Sequence, residues 1–107
     1  MILDDASNQY KALSHPARLR IVNLLSQQDS LCVCELMRVL EFGQSFVSRH
    51  LAILRDAELV VAEKKGTWAH YRLLPAAAPL LSAIDLSQIS ELQADLIRLS
   101  QPACEAC

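Results

Sequence analysis

The chain has 107 residues, 52% of them apolar, and a formal net charge of −2. That length suits one compact domain with a core but leaves a monomer marginal, and oligomerisation is a common remedy. No apolar run approaches a membrane span, and the start Met1-Ile2-Leu3-Asp4-Asp5 lacks a basic segment followed by an apolar one. A cytoplasmic protein without membrane partners is expected, in which the four cysteines are thiols rather than disulfides.

Charge is unevenly spread. Residues 1–31 sum to zero, residues 32–79 to +1 and residues 80–107 to −3. The middle is the least acidic part, yet no strong basic stripe exists, so any nucleic-acid reading rests on pattern rather than on net charge.

Leu and Ala dominate, and with only two Gly and four Pro this composition points to helices with little sheet. Asp4 or Asp5 is positioned to cap a first helix running to about Leu13. Ser14-His15-Pro16 opens a second, with Ser14 as N-cap and Pro16 in the first turn. From Ala17 to Leu25, the residues Leu19, Ile21, Val22, Leu24 and Leu25 mark a largely buried helix. Residues 26–30 are a polar loop.

A third, short helix is expected from about Cys34 to Leu40, with Leu36, Val39 and Leu40 inward. Glu41-Phe42-Gly43 breaks it, and Gly43 is the residue suited to a positive φ. Gln44–Ala57 forms a fourth helix. Val47, Leu51 and Leu54 line its inner face; Gln44, Ser45, Ser48, Arg49 and Ala52 line the other. Two helices around a short turn, the second with a polar outer face, make a helix-turn-helix.

Leu59–Lys65 and Trp68–Leu73 alternate around Gly66-Thr67 and read as a β-hairpin, hence a wing. Pro75 and Pro79 bracket a small-residue linker. A last helix is expected over Leu80–Leu99, carrying Leu81, Ile84, Leu92, Leu96 and Leu99. The fold class is therefore mainly α with a small β-hairpin. Residues 1–100 form one winged helix-turn-helix domain for DNA binding and dimerisation, and residues 101–107 form a flexible cysteine-containing tail.

In a helix-turn-helix the second helix enters the major groove with its N-terminal residues on base edges. Those residues are Gln44, Ser45, Ser48 and Arg49; Gln suits adenine, Arg suits guanine, and Ser suits a base or a phosphate. His50 and Arg55 are candidates for phosphate contacts. Lys64, Lys65 and Thr67 at the wing tip are candidates for the adjacent backbone or the minor groove. Phe46, Trp68 and Tyr71 are read as packing residues, and His15 and His70 as structural.

Ser14-His15-Pro16-Ala17-Arg18-Leu19-Arg20-Ile21, Gln44-Ser45-Phe46-Val47-Ser48-Arg49-His50-Leu51-Ala52-Ile53-Leu54-Arg55 and Lys65-Gly66-Thr67-Trp68-Ala69-His70-Tyr71-Arg72-Leu73 resemble the helix entry, recognition helix and wing of the arsenical-resistance repressors, the ArsR/SmtB family. The resemblance covers about residues 7–75. It implies a homodimer joined through the first and last helices, bound to palindromic double-stranded operator DNA and released by an inducer, with no enzymatic activity.

Leu31-Cys32-Val33-Cys34-Glu35-Leu36 resembles the stretch at which similar repressors carry Cys-Val-Cys-Asp-Leu-Cys and bind trivalent arsenic or antimony. Here Met37 holds the place of the third cysteine, and a thioether is a poor substitute for a thiolate. Soft metalloids prefer thiolate sulfur, so As(III) or Sb(III) held by Cys32 and Cys34 is the expected inducer. Cysteines two apart on one helix point about 200° apart; both can grip one atom only if the helix unwinds there or begins later. A third ligand is available from Cys104 or Cys107, or two thiolates suffice for a methylated arsenical. The last helix has Asp85, Glu91 and Asp95 but no His, which disfavours the interfacial zinc site of other family members. A thiol redox sensor that forms reversible disulfides remains an alternative.

Overall fold

A computed structural model describes residues 2–83 and 85–101. Ile84 and the tail cysteines Cys104 and Cys107 lie outside the described residues. The elements are α1 (Leu3–Leu13), α2 (Pro16–Ser26), β1 (Leu31–Cys32), α3 (Val33–Leu40), α4 (Gln44–Asp56), β2 (Val60–Lys65), β3 (Trp68–Leu73), α5 (Ala78–Leu81) and α6 (Ser90–Leu99). The strands form one antiparallel sheet in the order β1-β3-β2.

One core joins the helices to the sheet. Ile21, Val22, Leu24 and Leu25 of α2, Leu36, Val39 and Leu40 of α3, and Val47, Leu51 and Leu54 of α4 are buried together with Ala12, Leu13, Leu59 and Val60. The helical periodicity of these residues is what places α3 and α4 on α2 as a helix-turn-helix, and the hairpin after α4 completes a winged helix-turn-helix.

Several local expectations are corrected. The N-cap of α1 is Ile2 without a side-chain bond, and Asp4 and Asp5 lie inside the first turn, where their charge suits the helix dipole. His15, not Ser14, caps α2: its Nδ1 accepts from the Ala17 N–H at 3.0 Å. The Ser14 hydroxyl instead donates to the Lys11 carbonyl at 2.8 Å and closes α1. Gly43 has φ −73° and is the N-cap of α4; the left-handed residue of the turn is Glu41 at φ 60°. The Glu41 N–H bonds the Met37 carbonyl there, a helix-ending arrangement that glycine more often supplies.

The expected Leu80–Leu99 helix is interrupted. A 3₁₀ turn at Pro75–Ala77 leads into α5, and a second at Leu86–Gln88 precedes α6. The Asp85 carboxylate accepts from the Ser87 N–H at 3.1 Å, a local bond that competes with helix continuation. What fixes α6 is a buried carboxylate. Asp95 is fully buried, receives two bonds from Arg20 at 2.9 Å each and one from Arg98 at 2.8 Å. The Asn23 amide adds a bond to the Leu92 carbonyl at 3.3 Å.

Replacing Asp95 by Asn leaves two guanidinium groups facing a neutral amide. Breaking one side of a buried pair costs about 3–5 kcal/mol, so D95N is expected to lower the urea midpoint strongly; a shift worth under about 1 kcal/mol refutes this anchoring role. The two glycines separate in the same assay. An added Cβ meets nothing within 4 Å at either, but Gly66 has φ +66°. Gly66→Ala is therefore expected to cost about 1–2 kcal/mol, whereas Gly43→Ala, at an N-cap with φ −73°, is expected to cost less than about 1 kcal/mol.

Candidate nucleic-acid interface and cysteine site

At about 100° per residue, Gln44, Ser45, Ser48, Arg49, Ala52 and Arg55 occupy one arc of about 140° on α4, separate from an arc of about 60° that holds the buried Val47, Leu51 and Leu54. Gln44, Ser45, Ser48, Arg49 and Arg55 are exposed. The Arg49 guanidinium lies 5.4 Å from the Phe46 ring centroid, a cation–π contact that narrows its conformations without using its donors. Arg55 reaches Asp56 at 3.6 Å with both side chains more than half exposed, a pair that solvent screens and a phosphate can displace.

On the wing, Lys65 pairs with Trp68 across the two-residue Gly66-Thr67 turn. Positive φ at Gly66 is what this tight hairpin requires. Lys64, Lys65 and Thr67 are exposed at the tip, and Lys65 Nζ lies 3.4 Å from the Ser30 hydroxyl. Arg72 is committed elsewhere: its Nε bonds Glu63 at 2.6 Å, and this contact holds the Glu63 carboxyl below its ordinary range. Trp68, read from sequence as a packing residue, is 38% exposed at the hairpin, because its strand position lies beyond the helices that cover Tyr71 and Leu73. Tyr71 does pack against the core, and Phe46 lies against Phe42 and His50 at ring distances of 4.6 and 4.4 Å.

His50 departs from its expected place on a phosphate. It is buried, on the flank of α4 that meets α2. Arg18 Nη1 donates to its Nδ1 at 2.9 Å, and its ring is 4.6 Å from that of His15. Burial first, then the nearby His15, Arg18 and Arg49, push its pKa below the ordinary 6.5. Arg18 also donates from Nε to the Ala12 carbonyl at the end of α1. Sequence reading missed Arg18 as a positioning residue, because its partner His50 lies 32 residues away on another helix.

The two motif cysteines sit where strand becomes helix. Cys32 is the last residue of β1, opposite His70 of β3. It is also the N-cap of α3, extended at φ −78° and ψ 160°, with its sulfur accepting from the Glu35 N–H at 3.4 Å. The helix thus begins after Cys32, so the two side chains need not diverge as on a regular helix. Their sulfurs lie 2.9 Å apart, Cys32 buried and Cys34 half-buried. Met37 packs against the core. Glu35 and Arg38 form a two-pronged ion pair at 2.9 and 3.1 Å, and Arg38 Nη1 donates to the Arg98 carbonyl at 3.0 Å. Arg98 in turn bonds Glu41 at 3.1 Å. The end of α6 is thereby tied to the C-terminal half of α3, and through Arg38 to Glu35 in its first turn. Among the described residues no group of three or more His, Cys, Asp or Glu is arranged to hold a metal ion.

Residues 15–61 match the family described as "Bacterial regulatory protein, arsR family". The chain is 38% identical over 97 residues to the "Arsenic resistance transcriptional regulator ArsR1" of Pseudomonas putida, covering 86% of this chain and 75% of that protein. It belongs to the arsR family. A further relative is the "Arsenical resistance operon repressor" of Escherichia coli (strain K12), 48% identical over 66 residues; the match spans 62% of this chain and 56% of that protein. The fold of this arsR-family chain is similar to that of "the transcriptional repressor PagR of Bacillus anthracis", with TM-score 0.69 and 28% identity, over 78% of this chain and 95% of the other. The family is one of winged helix-turn-helix regulatory proteins, not of enzymes. No described helix is long and apolar enough to cross a membrane.

Proposed function

We propose that this chain is a homodimeric repressor that binds operator DNA and leaves it when its thiols take trivalent arsenic or antimony. Cys32 carries the reading: one residue pairs with the wing strand, caps α3 through sulfur, and lies 2.9 Å from the Cys34 sulfur. A thiolate pair is selective for soft ions over Mg²⁺ or Ca²⁺. Committing the Cys32 sulfur to an inducer removes the acceptor for the Glu35 N–H and reshapes the start of α3, against which α4 packs. Gln44, Ser45, Ser48 and Arg49 face bases, while Arg55, Lys64, Lys65 and Thr67 face backbone phosphates; buried His50 is left out.

The relatives' printed names, arsenical and arsenic resistance regulators, support the inducer class. Exposed Ile2, Leu3 and Tyr10 at α1 and Ile97 on α6 support dimerisation through the first and last helices. Cys104 or Cys107 supplies a third sulfur. The chain leaves α6 beside α3, and the three residues from Gln101 to Cys104 span at most about 10 Å.

The test is fluorescence anisotropy of the reduced protein on DNA from upstream of its own gene, titrated with arsenite. Release near stoichiometric arsenite is expected, with Cys32→Ser and Cys34→Ser binding DNA but not released. Release retained in both variants removes the site. The close sulfur pair also favours a second reading, in which peroxide takes two electrons and two protons from two thiols, giving a disulfide and two waters. Release by peroxide with indifference to arsenite selects that reading.

The proposed contacts differ in kind and are expected to differ in effect. Arg49→Ala should cost about 1–3 kcal/mol and relax specificity, whereas Lys64→Ala and Lys65→Ala should each lower the salt slope by about 1 across all sequences. Equal effects on specific and random DNA for Arg49→Ala would assign it to the backbone instead.

A further inference from the structure

Arg18 sits where three helices meet. Its Nε donates to the Ala12 carbonyl closing α1, its backbone belongs to α2, and its Nη1 donates to His50 Nδ1 of α4 at 2.9 Å. Phe42 from the turn continues the cluster through Phe46 to His50 and on to His15. Arginine has donors only, so Nδ1 of His50 is the acceptor and the ring's proton resides on Nε2. His15 is constrained alike, since its Nδ1 accepts from the Ala17 N–H.

Resting on the DNA-binding reading above, we propose that Arg18 and His50 form a latch that seats the recognition helix on α1 and α2 and that opens when His50 takes a second proton. A proton on Nδ1 would replace the acceptor with a donor and set imidazolium against guanidinium. Among the described residues no carboxylate acts on the ring. The charged or titratable groups acting on His50 are His15 and Arg18 from α2 and Arg49 from its own helix; α1 supplies only the Ala12 carbonyl, through Arg18. Asp56, which lines the neighbouring cleft with Arg18 and Lys11, is paired with Arg55. The shift agrees in sign: burial lowers the folded pKa below 6.5, so the unfolded chain binds the proton more readily. The latch is complete above pH 6.5 and weakens as the pH falls towards the folded pKa.

The direction separates this role from a phosphate contact. A surface histidine on phosphate would tighten DNA binding on protonation; the latch predicts weakening. Operator affinity of the full chain, without arsenite and at constant ionic strength, is to be measured from pH 7.5 to 5.5. A loss of affinity that sets in below pH 6.5 and deepens towards pH 5.5 is expected. H50Q, whose amide oxygen can accept from Arg18 but cannot titrate, should flatten the profile. Tighter binding at low pH, or an unchanged slope in H50Q, overturns the latch.

A DNA-free readout keeps this separate from the repressor reading. Ring ¹⁵N shifts of the native protein should show an Nε2-protonated His50 titrating below 6.5, with α4 amide shifts following the same curve. An Nδ1–H tautomer, or α4 amides that do not follow, refutes the latch whether or not the operator is bound and whether or not H50Q folds. Failure to bind any operator DNA, with the NMR titration as expected, refutes the repressor reading and leaves the latch standing as a seat for α4.

Discussion

The extended backbone at Cys32 is the constraint on which the junction of sheet and α3 depends. Its φ and ψ place one residue in a strand and at the head of a helix. Had α3 begun two residues earlier, the cysteine side chains would project about 200° apart and β1 would have no residue opposite His70. Beginning at Val33, the helix leaves Cys32 free to pair with the wing through its backbone and to cap through its sulfur. Any bond made by that sulfur therefore reaches the wing strand and α3 together.

Two devices hold the rest of the helix-turn-helix. At one end, the buried Asp95 carboxylate draws Arg20 and Arg98 together, and Arg98 and Arg38 fasten α6 to α3. At the other, Arg18 fastens α4 to α1 and α2 through His50. Between them the apolar faces of α2, α3 and α4 supply the bulk of the stability and little of the orientation, because apolar contacts lack direction. The directional bonds fix where Gln44, Ser45, Ser48 and Arg49 point.

Charge enters locally rather than globally. With a net charge of −2, the chain brings no general attraction to nucleic acid. Its exposed cations at Arg49, Arg55, Lys64 and Lys65 fall on one helix face and one hairpin tip, while the cations at Arg20, Arg38, Arg72 and Arg98 are engaged by carboxylates. The cations of the proposed DNA surface are exposed, and Arg55 among them has only the exposed Asp56 as an ion-pair partner.

The sequence alone determined the helix-turn-helix, the wing and the outward face of α4. Each follows from a short repeat: apolar residues at helical spacing and alternation around Gly66. Only the tertiary structure decided that His50 points inward, that Glu41 rather than Gly43 takes the left-handed conformation, that Trp68 is exposed and that the C-terminal helix is interrupted between Leu81 and Ser90. Those outcomes turn on partners distant in sequence or on local bonds that compete evenly with helix. Arg18 is 32 residues from His50 and Arg20 is 75 from Asp95. Periodicity records which face of a helix is apolar. It does not record which polar residue on the boundary meets a guanidinium across the core.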